Sequence, residues 1–410
     1  MFEELVKVKL KCNLCRGSDF VEIVDLGLTP IAHRYKKTNN ISTTPEYKHK
    51  LAIQVCRGCA FIQLIDPIPA DELYREYNFC FSTWKPQPHM LDEIEILAKT
   101  LPKNSAIAEI GSNDGSFLKL LNEAGFQSLI GIEPNSVAAE ISRKTGVAVL
   151  ETYFDHTCAQ ELKNRFGQID AIVSRQCVEH IPDLQSLMKN INHMLKLNGW
   201  VMFEVPDFEV PLIYGDCSQL WEEHVNYFTE PVMRAFLMSH GYRVELVKRY
   251  PFSGGALMVF AQRTQLTTGE MKVTNEIQRI KELALGFRSK VEKFKEKVIS
   301  LLKSNHEKGL ANVLYGSGCR ANTVLNGLKL AEYIDVIVDD QPEKIGLLMP
   351  GCSIEIKSSD ALYQHIGTCL LSVNTENEQR VMSRHKAYLE AGGCFYSLNS
   401  PSDIYLLGNC

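Results

Sequence analysis

The sequence predicts an α/β protein in which a small cysteine-rich domain precedes two larger α/β domains. Two Cys-x-x-Cys pairs lie near the N-terminus, apolar strands alternate with amphipathic helices over residues 90–263, and a second strand and glycine loop begin at residue 312. The predicted division is 1–88 for the cysteine-rich domain, 89–266 for the central domain, 267–308 for a helical linker and 309–410 for the C-terminal domain.

The composition fits a globular chain and argues against several classes of function. The 410 residues are 45% hydrophobic and 23% charged, with a formal net charge of −5, so no general basic surface would hold nucleic acid or an anionic membrane. The first residues lack the apolar segment of a signal peptide, and no run of about 18 apolar residues could cross a bilayer. We expect a cytoplasmic protein, a monomer or small homo-oligomer, with no nucleic-acid or membrane partner.

Four of the thirteen cysteines are paired in the sequence: Cys12 with Cys15, and Cys56 with Cys59. Each pair can bring two thiolates to one metal, and four thiolates make a closed tetrahedral Zn²⁺ site of the structural kind. The 40 residues between the pairs exceed the usual zinc-ribbon spacing, so we expect a small subdomain between them. A redox dithiol and ordinary buried cysteines are the alternatives.

In the central domain the alternation predicts a doubly wound parallel sheet. The expected strands are 106–110, 129–132, 171–173 and 200–205. The expected helices between them include 116–124 and 184–195. Residues 268–308 are rich in Glu and Lys, lack proline and repeat apolar residues near helical spacing. We expect them to form one long connecting helix, broken at Gly286.

The strand, glycine loop and helix at residues 108–118 form the most informative motif. Two glycines in a Gly-x-Asn-Asp-Gly loop allow a sharp turn and close approach to a cofactor. Glu133 ends the next strand, where it could accept hydrogen bonds from both ribose hydroxyls of either a nicotinamide or an adenosyl cofactor. Glu109 favours S-adenosylmethionine, whose cationic amino-acid end needs acceptors, whereas a pyrophosphate would be repelled. The predicted cofactor residues are Glu109, Gly111, Asn113, Asp114, Gly115 and Glu133. As alternatives, the glycines serve only the turn and Glu133 only caps a helix.

The order of the motifs resembles that of the bacterial nucleotide-sugar C-methyltransferases, including the TDP-sugar C-3 methyltransferases of deoxysugar pathways. The shared features are the Cys-x-x-Cys pairs, Asp-Leu-Gly at 25–27, both glycine loops, Gly-Ile-Glu-Pro at 131–134, His-Ile-Pro at 180–182 and Glu-His at 223–224. The resemblance covers nearly the whole chain. It implies an N-terminal zinc-binding domain, a central Rossmann-like class I S-adenosylmethionine methyltransferase domain and a C-terminal Rossmann-like domain, with a nucleotide sugar between them.

Methylation of a carbon next to a ketone needs a base that is neutral at cytosolic pH, and histidine, with an ordinary pKa of about 6.5, suits this role. The resemblance assigns Glu223 and His224 to the catalytic site, with His224 as the general base. His180 follows the strand predicted at 171–173, at the edge where α/β sheets bind ligands, so it is a candidate to bind a keto or hydroxyl oxygen and stabilise an enolate. Glu179 is an alternative acid. Tyr77 lies where the family has a tyrosine-rich segment over the active site.

Gly316, Gly318 and Arg320 mark the start of a second helix after a strand and a glycine loop. Backbone N–H groups, the helix dipole and a guanidinium at such a position favour a phosphate. By the resemblance, we expect these three residues to bind the nucleotide part of the substrate. A domain used only for packing is the alternative, because a lone Gly-x-Gly is weak evidence.

Two features of the sequence leave open which reaction the protein catalyses. Related enzymes carry a tyrosine three residues before the catalytic histidine, whereas this chain has Trp221, whose indole cannot act as a phenolic acid or base. Glu222 is an alternative to Glu223 as the functional acid. An O- or N-methyltransferase, or a non-enzymatic zinc- and nucleotide-binding assembly protein, therefore stays possible from the sequence.

Overall fold

The computed structural model describes residues 10–38, 46–73, 87–264 and 269–406. The strands within these ranges form one antiparallel N-terminal sheet, a larger central sheet, a parallel C-terminal sheet and one two-stranded ribbon. No helix in the described ranges is long and apolar enough to cross a membrane. The predicted α/β class is confirmed.

The N-terminal domain is an antiparallel sheet with the cysteines at one end. Its elements are β1 (Phe20–Pro30), β2 (Lys36–Lys37), β3 (Lys48–Cys56), β4 (Ile62–Leu64) and the short helix α1 (Ala70–Leu73). β3 pairs with both β1 and β4, and its register places Cys56 opposite Phe20. This pairing brings the two cysteine pairs to the same end of the sheet.

The central domain has a seven-stranded sheet with helices on both faces. Its elements are α2 (His89–Thr100), β5 (Ala106–Ile110), α3 (Ser116–Glu123), β6 (Ser128–Ile132), α4 (Ser136–Arg143), β7 (Ala148–Leu150), α5 (His156–Phe166), β8 (Ile169–Arg175), α6 (Leu184–Met194), β9 (Leu195–Pro206), α7 (Glu209–Tyr214), β10 (Asn226–Tyr227), α8 (Glu230–Ser239), β11 (Tyr242–Tyr250) and β12 (Ala256–Arg263). The strand order is β11-β12-β9-β8-β5-β6-β7. The four predicted strands and both predicted helices are present.

One feature of this sheet departs from the parallel arrangement predicted. β11 pairs with β12, and β12 pairs with β9, both in antiparallel fashion. Only residues 251–255 connect β11 to β12, and a connection this short cannot provide the crossover that a parallel pair requires.

The predicted connecting helix is two helices, α9 (Asn275–Leu285) and α10 (Phe287–Glu307), and the break falls at Gly286 as expected. The first begins at Asn275 because the Thr274 side chain accepts the Ile277 N–H at 3.3 Å. Its prediction from residue 268 was therefore too long at the N-terminal end. α10 packs against β1 and α7.

The C-terminal domain is a five-stranded parallel sheet. Its elements are β13 (Ala311–Tyr315), α11 (Cys319–Gly327), β14 (Val336–Asp339), β15 (Leu347–Leu348), β16 (Ile356–Ser358), β17 (Gly367–Leu371), α12 (Thr375–Arg384), α13 (Lys386–Glu390) and β18 (Cys394–Ser397). The order is β16-β14-β13-β17-β18.

Strand pairing also connects the three domains. β10 from the central part of the chain pairs with β4 of the N-terminal sheet, and β2 pairs with β15 of the C-terminal domain. One continuous apolar cluster includes Leu26, Phe208 and Leu325, one from each domain. The loop that leads into β10 is consequently fixed by the N-terminal domain.

Candidate active site and zinc centre

The two cysteine pairs meet at one end of the N-terminal sheet. The Sγ atoms of Cys12 and Cys59 are 3.6 Å apart, as are those of Cys15 and Cys56, and all four lie within 4.8 Å of one another. In a tetrahedral site with Zn–S bonds of about 2.3 Å, sulfur atoms are roughly 3.8 Å apart. The four thiols fit one Zn²⁺ ion and leave no open coordination position, so the metal is structural.

A tight turn followed by left-handed backbone shapes each cysteine pair. The N–H groups of Arg16 and Ala60 donate to the carbonyl oxygens of Cys12 and Cys56 at 3.0 and 2.9 Å. The φ angles of Arg16 and Ala60 are 64° and 61°. Because this backbone reverses the chain directly after each pair, both thiols of a pair lie on the same side.

The loop between β5 and α3 depends on its two glycines. Gly111 and Gly115 have φ angles of 73° and 76°, which other residues adopt only with strain. A Cβ atom on them would lie 2.6 Å from the Cys177 Sγ and 2.3 Å from the Ser142 Oγ, respectively. The loop therefore lies directly against the segment that follows β8 at Gly111 and against α4 at Gly115.

Glu133 follows β6 and braces the same loop. Its Oε2 accepts the Asn113 N–H and its Oε1 accepts the Asn135 N–H, both at 2.8 Å. Each carboxylate oxygen has further lone pairs, so these bonds orient the group and still leave acceptors for ribose hydroxyls. Asp114 accepts from the Ser116 backbone N–H and hydroxyl at 3.2 and 2.6 Å, which fixes the first turn of α3.

Glu109 is a buried carboxyl in β5. Its Oε2 has no hydrogen-bond partner among the described residues. Burial raises the pKa of Glu109 to about 8, against the opposing effect of Arg175. A buried acceptor without a donor suits a cationic ligand group, which would return the carboxyl to its charged form.

Arg175 ends β8 and balances the acids around the loop. Its Nε lies 2.7 Å from Glu93 Oε2, and its Nη2 lies 2.7 Å from Glu204 Oε2. His89 Nε2 is 3.2 Å from the other oxygen of Glu204. This buried network fixes the carboxyl ends of β8 and β9. The network could not be predicted from the sequence, because no local motif connects residues so far apart in the chain.

Two histidines come together beside the glycine loop. The rings of His180 and His224 have centroids 5.0 Å apart, and the Trp221 ring lies 4.4 Å from that of His224. One oxygen of Glu179 and one nitrogen of each histidine lie within 4.8 Å of one another. The structure thus unites the predicted residues His180 and His224 with the alternative acid, Glu179. Tyr77 lies outside the described residues.

Burial sets the charge of these three groups. It lowers the pKa of His224 well below the ordinary value, with a further contribution from His180. It lowers the pKa of His180 as well, against the effect of Glu223, and it raises the pKa of Glu179 to about 8. Neither Glu179 oxygen has a hydrogen-bond partner within the part of the chain that the structure describes. Near neutral pH the site holds two uncharged imidazoles beside a protonated carboxyl.

The tautomer of His180 follows from its contact with Glu223. His180 Nδ1 lies 2.8 Å from the Glu223 carbonyl oxygen, which can only accept, so Nδ1 carries the proton. The unprotonated Nε2 lies 3.9 Å from Glu179 Oε1. In this state His180 can accept a hydrogen bond from a hydroxyl but cannot donate one to a keto oxygen.

The side chains of Glu222 and Glu223 both contact the N-terminal domain. Glu222 Oε1 accepts the Ala32 N–H at 2.7 Å, and Glu223 Oε1 lies 2.6 Å from His33 Nε2. Burial opposes ionisation of Glu223, but the hydrogen bond and charge of His33 outweigh it and lower its pKa. His33 was not among the predicted site residues, since no motif relates it to a loop about 190 positions away.

Arg320 lies in the first turn of α11 and reaches the central domain. It donates to the Ser218 hydroxyl at 3.1 Å and to the Ser253 carbonyl oxygen, and its guanidinium lies 5.8 Å from the centroid of the Trp221 ring. It is 4% exposed. Among the described residues no carboxylate lies within ion-pair distance of Arg320, although Asp216 and Glu376 act on its charge from farther away, and its Nε has no hydrogen-bond partner. This buried cation lies next to the ring that packs on His224.

The other predicted residues of the C-terminal loop differ in their surroundings. Gly316 has a φ of 96°, and a Cβ atom there would lie 3.1 Å from Val373, whereas Gly318 has open space around it. Asp339 accepts from the Ser317 backbone N–H and hydroxyl at 2.8 and 2.6 Å. The loop is thus closed on one side and open at Gly318.

Comparison with known protein families agrees with this architecture. Residues 12–74 match a putative zinc binding domain, residues 82–247 a methyltransferase domain, and residues 251–398 a C-methyltransferase C-terminal domain. The protein is an S-adenosylmethionine-dependent methyltransferase that carries a structural zinc site. The three matches follow one another along the chain and together span residues 12–398 with short gaps.

A curated relative shares this full length. C-methyltransferase NovU of Streptomyces niveus is 25% identical over an alignment of 405 residues that covers 96% of each chain. Among solved structures, the 1,6-didemethyltoxoflavin-N1-methyltransferase of Burkholderia thailandensis with S-adenosylhomocysteine is 16% identical, covering 52% of this chain and 98% of that one with a TM-score of 0.38. A putative S-adenosylmethionine-dependent methyltransferase of Listeria monocytogenes is 12% identical, covering 43% and 98%, with a TM-score of 0.34.

Loss of one zinc ligand should remove the metal. We expect about one Zn²⁺ per wild-type chain, and Cys12→Ser or Cys56→Ser to lose it together with soluble yield, because metal binding contributes to folding of such domains. Elemental analysis of protein purified without chelators measures this. Cys158→Ser, at a buried cysteine in α5, is the control and should keep its zinc. Wild-type protein without zinc would contradict the assignment.

Glu133→Ala should weaken S-adenosylmethionine binding. Loss of a charged acceptor for the ribose hydroxyls costs roughly 1.5–3 kcal/mol, and calorimetry in the absence of a sugar substrate measures it. Glu140→Ala changes an exposed acid in α4 that pairs with Lys144 and should bind as the wild type does. Equal affinity of the Glu133→Ala variant and the wild type would show that Glu133 only braces the loop.

Proposed function

We propose that this protein methylates a carbon next to the ketone of a nucleotide-linked 4-keto deoxy sugar, in branched-sugar biosynthesis. The observation that carries the proposal is the pair of uncharged histidines, His180 and His224, beside the protonated Glu179. Transfer to carbon requires a base for the C–H group and a donor for the enolate oxygen. This site provides both next to the glycine loop.

The glycine loop and the acids around it suit S-adenosylmethionine. When bound, S-adenosylmethionine supplies an electrophilic methyl group. Gly111 and Gly115 permit its close approach, Glu133 is oriented to accept from the ribose hydroxyls, and the free oxygen of Glu109 suits the amino group. Four of the six residues predicted from the sequence thus have a role toward the cofactor, and the other two, Asn113 and Asp114, lie in the same loop.

We assign His224 as the base that removes the proton next to the ketone. Burial keeps its ring uncharged at neutral pH, and the Trp221 ring packs on one side of it, which fixes its orientation. The proton moves from carbon to a ring nitrogen of His224, and the electron pair moves toward the keto oxygen. Trp221 acts here by packing, so the family's phenol is not required for this step.

Glu179 is the group best suited to stabilise the enolate oxygen. It is protonated below about pH 8 and has no competing acceptor among the described residues, so its O–H is available to donate. His180, whose Nε2 is unprotonated, is better suited to accept from a sugar hydroxyl. When the new carbon–carbon bond forms, the carbonyl group reforms, Glu179 keeps its proton and His224 releases its proton to solvent.

Arg320 supports a nucleotide diphosphate as part of the substrate. A buried guanidinium without an ion-pair partner is costly unless a ligand supplies the anion, and Arg320 lies within 5.8 Å of the ring beside His224. The open position at Gly318 and the N-terminus of α11 would add backbone N–H donors. The sugar-nucleotide class rests on this cation and on the motif resemblance.

His224→Asn should preserve ligand binding and lower kcat by about 10²–10⁴, the usual contribution of a general base. A thymidine-diphosphate-linked 4-keto-6-deoxyhexose is the probe, and the product methyl is located by NMR. His306→Asn, at an exposed histidine paired with Asp335, should have wild-type kcat. A methyl group on oxygen or nitrogen, or wild-type turnover in His224→Asn, would contradict the proposal.

The decrease of kcat at alkaline pH should reflect the ionisation of Glu179. Glu179 is protonated only below its pKa of about 8, so kcat should fall as the pH rises through about 8. His224 becomes protonated only at a pH well below 6.5. Between about pH 8 and pH 6.5, kcat should therefore stay level. Glu179→Gln keeps an N–H donor that does not titrate and should abolish the alkaline decrease. An identical decrease in Glu179→Gln would exclude Glu179 as the donor.

A further inference from the structure

The N-terminal domain approaches the catalytic loop with two consecutive residues. The Ala32 N–H donates to Glu222 at 2.7 Å, and His33 Nε2 lies 2.6 Å from Glu223 Oε1. A carboxylate only accepts, so Nε2 of His33 carries the proton and donates. Two neighbouring acids of the loop are thus held by two neighbouring residues that follow β1.

The loop is also fixed directly after the catalytic histidine. Asn226 and Tyr227 form β10, which pairs with Gln63 and Ile62 of β4. The N-terminal domain therefore holds the loop on both sides of His224. Movement of the domain would move the loop.

A displacement of Glu223 would reach both histidine rings. The carbonyl oxygen of Glu223 is the acceptor of His180 Nδ1 at 2.8 Å, and His224 is the next residue in the chain. The Glu223 carboxylate is 8% exposed, whereas the His33 side chain is 35% exposed. His33 therefore compensates a buried charge that solvent cannot reach, and loss of such a partner is costly.

His33 also contacts the C-terminal domain. The Cys319 Sγ lies 3.5 Å from His33 Nε2, and Cys319 is the first residue of α11. The Cys319 sulfur, followed by the Glu223 carboxylate, raises the pKa of His33 well above the ordinary value against the effect of burial. The ring is consequently a contact point for all three domains at the edge of the site.

We infer that His33 is a positioning residue for methyl transfer: it holds Glu223 through its Nε2–H and so sets the arrangement of His180 and His224. This inference rests on the proposed function, because it assigns catalysis to those two rings. The N-terminal domain then contributes to the active site as well as to folding. His33 itself contacts neither reacting atom.

Kinetics on the same thymidine-diphosphate-linked 4-keto-6-deoxyhexose test this inference. His33→Ala should lower kcat by about 10–100-fold, the scale expected for a displacement near 1 Å, with zinc content and S-adenosylmethionine affinity unchanged. His33→Gln retains an N–H donor and should recover much of the loss. In a Glu223→Ala background, His33→Ala should have little further effect. His49→Gln, at a buried histidine of the same sheet that contacts Thr29, is the control and should keep wild-type kcat.

Histidine NMR provides a readout that needs no substrate. His33→Ala should shift the His180 and His224 ring signals, whereas His49→Gln should leave them in place. Wild-type kcat in His33→Ala, or equal losses with and without the Glu223 carboxylate, would overturn the inference. If His224→Asn is inactive while His33→Ala is fully active, only this inference fails. If His224→Asn keeps full activity, the proposed function fails instead.

Discussion

The attachment of the Trp221–His224 loop to the N-terminal domain is the interaction on which the rest of the site depends. Glu222 and Glu223 are buried, and each has its hydrogen-bond partner in the segment after β1. Buried carboxylates without partners are strongly destabilising, so the loop and that segment hold each other in one arrangement. The pairing of β10 with β4 continues this attachment into the zinc-binding sheet. The zinc ligands are distant in the sequence from the proposed base, His224, yet the sheet that zinc stabilises holds the loop that carries this histidine.

The same burial produces the electrostatics that the reaction needs. Removing water from the site favours the uncharged form of every group, so the histidine pKa values fall and that of Glu179 rises to about 8. A base and an acid can then coexist near neutral pH without exchanging a proton first. Glu223 is the exception, since His33 keeps it charged. One charged acid positions the site, and one neutral acid is available for the chemistry.

Local signals explain which features could be predicted from the sequence. The cysteine pairs, the glycine loop with Glu133, and the break at Gly286 depend on residues close together in the chain, and the structure places each as expected. The antiparallel β11 and β12, the Arg175 network and the His33–Glu223 contact depend on long-range packing. No spacing rule relates His33 to Glu223. The tautomer of His180 likewise follows only from the carbonyl oxygen that it meets in the fold.

The central claim is that His224 removes a proton from carbon before the methyl group is transferred. Proton NMR in deuterated water tests this directly, with S-adenosylhomocysteine in place of the methyl donor and a thymidine-diphosphate-linked 4-keto-6-deoxyhexose as the probe. The wild-type protein should exchange the hydrogen next to the ketone for deuterium, because the base can act although no methyl group is available, and His224→Asn should not. Exchange that persists in His224→Asn, or no exchange in the wild type, would contradict the account.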